Sequence, residues 1–376
     1  MAKHGCERVF IVGGGFSHYA GLPLTGEFTS ALLAASDPER GRSGALVSHL
    51  KEFAEFVFGP IAEDDWPPLE DLFTCIDLAA NTGHHLGSKY SAAKLRTVRR
   101  CLIVRIIRML HNRLKRAGKA GTAEQTEWKV FHDFLLEVDH RSSAFLSMNW
   151  DEVVESVALS VPSQKRPPIE YGCDAIQVEI SEDELRMVPS RESQIAPVRI
   201  VKIHGSVNWL YCDNCRRCFW LAPGNGISIS NQLLTDPEWK LVLPREHRTK
   251  RWTCPTCKEV LLSTRLATFS YRKALDFAVL QKSWSKAEDL LREARTWAFI
   301  GYSLPAADYE FKHFLKRIQL SRQSKPHVIL VTGGPKAQAN ATRKSYQQFF
   351  GRRFENGVTC FMKGLTTEST RALLQC

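Results

Sequence analysis

Two hydrophobic registers alternate along the chain. Short, nearly continuous runs of β-branched and aromatic residues occur at Val9–Val12, Ala144–Met148, Val198–Ile203, Trp297–Ile300 and His327–Val331. Each has the pattern of a strand covered on both faces, and each stops at small or polar residues. Between them the apolar spacing lengthens to that of helices. Phe28, Leu32 and Leu33 make one short amphipathic run, and Leu46, Leu50, Phe53, Phe56 and Val57 make another. Trp66-Pro67-Pro68 breaks the pattern, and Leu69–Phe73 opens a further helix with acidic residues in its first turn. Strands separated by helices predict an α/β fold, a doubly wound parallel sheet with a large helical insertion at about 24–140.

The segment Lys89–Lys119 carries the most charge. Leu95, Val98, Leu102, Ile106, Met109 and Leu114 line one face, while Lys94, Arg96, Arg99, Arg100, Arg105, Arg108, Arg113, Lys115 and Arg116 occupy much of the rest. The pattern reads as a core-packed helix with a solvated basic face. The alternative is a contact surface for nucleic acid, a partner subunit or an acidic protein. No aromatic residues are interleaved with these charges, so a single-strand stacking platform is not supported.

The first strand runs directly into Gly13-Gly14-Gly15. Three glycines free the backbone from Cβ clashes, so its N–H groups can approach a bulky anion. The residues after Pro23 read as helical, which makes strand, turn and helix N-terminus a seat for a pyrophosphate. The ordinary dinucleotide fingerprint does not fit, because its third glycine position falls on His18.

Length and composition set the outer bounds. A chain of 376 residues with 44% hydrophobic residues can bury a large core, as one large domain with a smaller appendage. No apolar run reaches the roughly 18 residues of a membrane span, and the N-terminus enters a strand without a signal-peptide region. A cytoplasmic location is expected. The formal charge of +11 suits an anionic ligand such as a dinucleotide, and equally a nucleic acid or acidic partner.

Eleven cysteines is an odd number, and five of them lie in two tight clusters. Cys212-Asp-Asn-Cys215 and Cys254-Pro-Thr-Cys257 offer four thiolates, the tetrahedral donor set of a closed, structural Zn²⁺ site. A zinc-ribbon module at 212–257 is expected, with 1–211 and 258–376 forming the main domain. The gap between the pairs, about 38 residues, exceeds the usual run of about 15–20. Cys218 leaves the ligand set open, since Cys215-Arg-Arg-Cys218 is also a CxxC. No strand–CxxC–helix pattern surrounds either pair, which argues against redox use.

Taken singly, the strand-end residues are weak signals. Asn149 and Asp151 suit a cap on the helix expected at Glu152–Leu159, His204 suits a bonded core histidine, and Ser303 suits a turn. In order, however, they resemble the sirtuin series. Gly13-Gly-Gly-Phe-Ser17, followed by Ala20-Gly-Leu-Pro23, resembles the family's Gly-Ala-Gly-x-Ser and Ala-Gly-Ile-Pro. Ser147-Met-Asn-Trp-Asp151 resembles its Thr-Gln-Asn-x-Asp, Lys202-Ile-His-Gly-Ser206 its Leu-His-Gly-Ser, and Gly301-Tyr-Ser-Leu304 its Gly-Thr-Ser-Leu. The zinc pairs follow in the family's position.

The resemblance implies NAD as substrate and a structural zinc on Cys212, Cys215, Cys254 and Cys257. It assigns Asn149 to orient the ribose or an attacking water, Asp151 to hold ribose and nicotinamide, and His204 to act as general base. Gly13, Gly14, Gly15, Ser17, Pro23, Gly301 and Ser303 would form the cofactor-binding set. Departures point away from deacylation. Leu24-Thr25-Gly26 replaces the family's Asp-Phe-Arg, and Ala267–Ala274 lacks the Phe-Gly-Glu segment that clamps an acyl-lysine peptide. Pro-Ala-Ala-Asp308 follows Leu304 where the family has a Val-containing continuation.

With the helical insertion, these features resemble the divergent sirtuin-like NADases of bacterial antiphage defence. That implies an NAD⁺ hydrolase releasing nicotinamide and ADP-ribose, restrained by homo-oligomerisation or by a partner such as a defence-system ATPase or nuclease. An NAD-dependent deacylase or ADP-ribosyltransferase is the alternative enzyme. A non-catalytic NAD or ADP-ribose sensor and a nucleic-acid-binding protein are the alternatives of other classes.

Overall fold

The computed structural model describes residues 5–34, 42–60, 62, 65–117, 124–189, 193–243, 251–259, 262–268, 270, 277–351 and 358–375. In chain order the strands are β1 (Arg8–Val12), β2 (Ser143–Ser147), β3 (Ile169–Tyr171), β4 (Ala175–Ser181), β5 (Glu184–Met187) and β6 (Val198–Lys202), then β7 (Trp209–Cys212), β8 (Cys218–Leu221), β9 (Leu262–Ser263), β10 (Thr296–Ile300), β11 (His327–Val331) and β12 (Val358–Phe361). Seven form one sheet in the order β12-β11-β10-β1-β2-β6-β3. Every pairing in it is parallel. The mixed α/β architecture with a parallel sheet is therefore as expected. The two edge strands, β3 and β12, lie outside the expected set, being only three and four residues long.

The continuous apolar runs follow from helices on both faces. Phe10 and Val12 of β1 point into one core with Phe145, Ile200 and Ile329, packed against the helical insertion. Val9 and Ile11 point into the other with Leu146, Trp297 and Leu330, covered by helices Ala278–Glu293, Tyr309–Ser321 and Lys336–Phe350. A strand with no solvent face has no polar alternation. Strand order reverses at β1, which has β2 on one side and β10 on the other, so a crevice opens beyond their carboxyl ends.

A second sheet, in the order β5-β4-β8-β7-β9, is antiparallel except for the β4–β8 pair. It begins before the first cysteine pair and ends after the second, with Cys212 opposite Leu262.

The long helix Ala92–Ala117 corrects one expectation. Its residues 101–110 are buried on every side, between helices Arg42–Phe58, Leu69–Thr82 and Gly226–Gln232, so no solvated basic face runs along that stretch. Arg105 and Arg108 point inward and are bonded there, because a buried guanidinium is costly without acceptors, whereas Lys94, Arg96 and Arg100 nearer the helix start are exposed as expected. Arg105 donates to the Leu32 carbonyl at 2.8 Å, and Arg108 to Asn231 Oδ1 at 2.7 Å. Arg99 pairs with Asp77 at 2.7 Å and Arg100 pairs with Glu238. Lys115 and Arg116 are exposed, and Lys119 lies outside the described residues. Among the described residues, no helix is long and apolar enough to cross a membrane.

This burial makes a sharp prediction for charge reversal. Arg105→Glu is expected to cost several kcal/mol in a denaturant titration, about 3 or more, whereas Lys115→Gln should stay within about 0.5 kcal/mol.

Candidate active site

A cavity of about 620 Å³ occupies the crevice. Of the expected residues, Gly14, Gly15, Ser17 and Pro23 line it from the first loop, Asn149 and Asp151 from the segment after β2, and Gly301 and Ser303 from the segment after β10. Gly13 and His204 do not.

The glycines divide their duties. A Cβ on Gly13 would lie 2.7 Å from the Gly301 carbonyl oxygen, and one on Gly15 2.9 Å from the Gly301 Cα. Gly301 itself has φ of +62°, and a Cβ there would lie 2.2 Å from the Phe16 nitrogen. Two loops thus meet backbone to backbone, fastened by the Gly15 N–H donating to Gly301 O at 2.9 Å. Of the three successive glycines only Gly14 would admit a Cβ without a clash, in ordinary contact with Thr25 Oγ1 at 3.8 Å. The helix expected after Pro23 has a predecessor, a five-residue turn at Gly14–His18 that starts directly from the strand.

Ser17 joins the two sides of the cavity. Its hydroxyl donates to Asp151 Oδ2 at 2.6 Å and accepts from Asn149 Nδ2 at 2.7 Å. The same Asn149 amide donates to the Gly13 carbonyl at 2.8 Å. Asp151 Oδ1 accepts the Val153 N–H at 3.1 Å, an Asx turn that leads into the helix Val153–Ala158, whose N-cap residue is Glu152. Ser17 is thus held with Asn149 and Asp151, which lie 132 and 134 residues further along the chain, as one hydrogen-bonded unit.

His204 is buried, 6% exposed, beside the cavity-lining Met148, with Nδ1 3.2 Å from the Met148 carbonyl oxygen. A carbonyl only accepts, so Nδ1 carries the proton and Nε2 of the neutral ring is the basic nitrogen. The Ala267 N–H donates to the His204 carbonyl at 3.0 Å, and Trp150 Nε1 to the Ala267 carbonyl at 3.0 Å. Of the stretch 267–274 expected to lack the peptide clamp, 269 and 271–274 lie outside the described residues.

The residue after Asp151 has the most altered acid in the neighbourhood. Burial, and then the charge of nearby Glu155, raises the Glu152 carboxyl to about 8. Glu155 itself accepts from the Tyr171 hydroxyl at 2.9 Å and lies 3.1 Å from the Lys202 ammonium.

The far wall comes from Thr332, Gln338 and Lys363 beyond β11 and β12, of which sequence reasoning missed Gln338 and Lys363. Tyr19 ties that wall to the glycine loop, its hydroxyl accepting the Leu365 N–H at 2.7 Å. The strand-end rule finds Thr332-Gly333-Gly334, but with β12 unrecognised nothing pointed to Lys363.

In the small sheet the Sγ atoms of Cys212, Cys215, Cys254 and Cys257 all lie within 4.8 Å of one another. Cys218, by contrast, is buried with its Sγ 4.0 Å from the Phe219 carbonyl oxygen. The two knuckles share one backbone pattern. Arg216 N–H donates to Cys212 O at 2.8 Å and Lys258 N–H to Cys254 O at 2.9 Å. Arg216 and Lys258 are both left-handed, at φ of 59° and 67°. The Cys212 N–H bonds the Arg217 carbonyl at 3.0 Å as the Cys254 N–H bonds that of Glu259 at 2.8 Å. The Glu259 N–H, donating to the Cys257 sulfur, holds that thiol down at about 6. Four convergent soft donors fit Zn²⁺ or a similar thiophilic ion, which would fasten the two knuckles and take no part in chemistry.

No protein-family model matches the sequence, and no curated protein does. Solved structures of sirtuins align over most of its length. One, determined for the basis of sirtuin substrate affinity, is 11% identical, with 98% of this chain and 93% of that one covered and a TM-score of 0.39. Another, a Sir2 complex with the inhibitor EX-527, 2'-O-acetyl-ADP-ribose and a deacetylated p53 peptide, is 13% identical over the same shares, with a TM-score of 0.33. At these values neither alignment carries an argument about this chain.

Two outcomes follow from the site. Glu152 keeps a proton in the folded state that the unfolded chain releases above its ordinary value of 4.5, so its contribution to stability is full below that pH and is lost as pH rises through about 8. Melting temperatures between pH 5 and 9 should accordingly fall less in Glu152→Gln than in the parent, and parallel curves would refute the assignment. For the metal, elemental analysis of purified protein should find zinc retained in Cys218→Ser and lost in Cys257→Ser.

Proposed function

We propose that the protein hydrolyses NAD⁺ to nicotinamide and ADP-ribose. The observation that carries this reading is the Ser17–Asn149–Asp151 unit facing a cavity at the strand-order reversal, in the arrangement that the sirtuin-like motifs call for. Cleavage of the bond between the ribose C1′ and the nicotinamide nitrogen sends the electron pair to nicotinamide and leaves oxocarbenium charge on the ribose. Asp151 would stabilise that charge, and Asn149 would orient the ribose and the incoming water. Water adds to C1′ and releases one proton. His204, with Nε2 basic, would take it through an intervening water, since the ring is not part of the cavity wall. The open backbone at Gly14, with Ser303 opposite, would hold the pyrophosphate.

The missing Phe-Gly-Glu clamp favours water over an acyl-lysine oxygen as nucleophile. With the resemblance to defence NADases, it supports an NAD-depleting antiphage effector acting in the bacterial cytoplasm. Restraint by self-association or by a partner protein belongs to the same reading, because unrestrained loss of NAD⁺ is toxic. Zinc on the four cysteines would hold the small sheet.

NAD⁺ consumption with the products resolved tests the proposal. The parent should form nicotinamide and ADP-ribose in equal amounts without any acylated peptide. Asn149→Ala and His204→Ala should each lose about 100-fold or more. NAD⁺ binding without turnover would support a sensor instead, and absence of both would overturn the reading.

A further inference from the structure

Lys202, the last residue of β6, is 1% exposed, and a lysine in such a place requires a reason. Its ammonium lies 3.1 Å from Glu155 Oε1, in a pocket that Tyr171 and Asn208 complete. With Glu152 protonated, the pocket holds one carboxylate and one ammonium and is charge-balanced. Balance alone does not explain the lysine, because apolar residues of similar volume in place of a buried pair are often neutral or stabilising. What Lys202 adds is a donor that an apolar residue lacks. Its Nζ also bonds the carbonyl oxygen of Asp151.

The Asn149–Asp151 segment is therefore gripped from two directions. From the cavity side, Ser17 and the Gly13 carbonyl hold the two side chains. From the core side, Lys202 holds the peptide between Asp151 and Glu152. The first grip involves groups that a substrate would compete for, whereas the second is out of a substrate's reach.

We propose that Lys202 is a positioning residue, which through its hydrogen bond to the Asp151 carbonyl fixes the segment carrying Asn149 and Asp151 in its reactive orientation. The inference rests on the NAD⁺-hydrolase reading. Misplacement of catalytic groups by a fraction of an ångström slows chemistry more than it weakens binding.

Lys202→Met alone would strand Glu155 as a buried, unpaired charge, and Glu155→Gln alone removes the ammonium's counter-charge but leaves its bond to the Asp151 carbonyl, so the informative variant is Lys202→Met with Glu155→Gln, compared with Glu155→Gln alone. Steady-state NAD⁺ hydrolysis is measured on all three proteins after thermal melts have established folding. The double variant should lose about tenfold or more in kcat while KM changes less than about twofold. Glu155→Gln, which keeps the lysine donor, should retain kcat. A folded double variant with parental kcat overturns the proposal and leaves the hydrolase reading intact. Equal losses in the single and double variants overturn it too, since the ion pair rather than the hydrogen bond would then matter. A parent without NAD⁺ turnover overturns both.

Discussion

The site depends on a contact between two stretches of bare backbone. Gly13 and Gly15 face Gly301 with no room for a side chain on any of the three, and the left-handed φ of Gly301 lets its loop turn back at that point. The loops after β1 and β10 meet at this apposition and form the near walls of the cavity. The loop after β1 brings Ser17, Ser17 brings Asn149 and Asp151, and the loop after β10 brings Ser303. A methyl group at Gly301 would push against peptide atoms, which cannot swing aside as the end of a flexible side chain can.

That contact also marks how far the chain could be read. The triple glycine is visible at once, and the natural inference is room for a ligand. Only Gly14 of the three leaves a side chain's worth of room, while its two neighbours serve packing within the chain. Which glycine does which depends on Gly301, and no local pattern connects residue 15 with residue 301. Strands with two covered faces were legible because five continuous apolar runs have few other uses. The edge strands β3 and β12 were not, since three or four residues carry no period. Cys212, Cys215, Cys254 and Cys257 were legible by spacing, and the exclusion of Cys218 required coordinates because its own CxxC spacing is equally good.

Charge was the poorest guide. A composition counts Arg105, Arg108 and Lys202 as three units of the +11 excess that a partner might feel. All three are buried and spent on internal acceptors. Helical periodicity failed over residues 101–110 for a related reason, although Lys94, Arg96, Arg100, Lys115 and Arg116 are exposed as it required. It assumes that polar positions face water, and Ala92–Ala117 instead sits among other helices with carbonyl and amide oxygens placed to receive its arginines.

The central place of β1 has a consequence for how the protein comes into being. Val9 lies between Ala144 and Trp297 in the sheet, so β1 acquires its second neighbour only after β10 has been made. Contacts of such long range make folding slow, and they postpone it. Lys363, beyond β12, lines the same cavity as Gly14, just after β1, so a chain that has reached only β10 still lacks one wall of it.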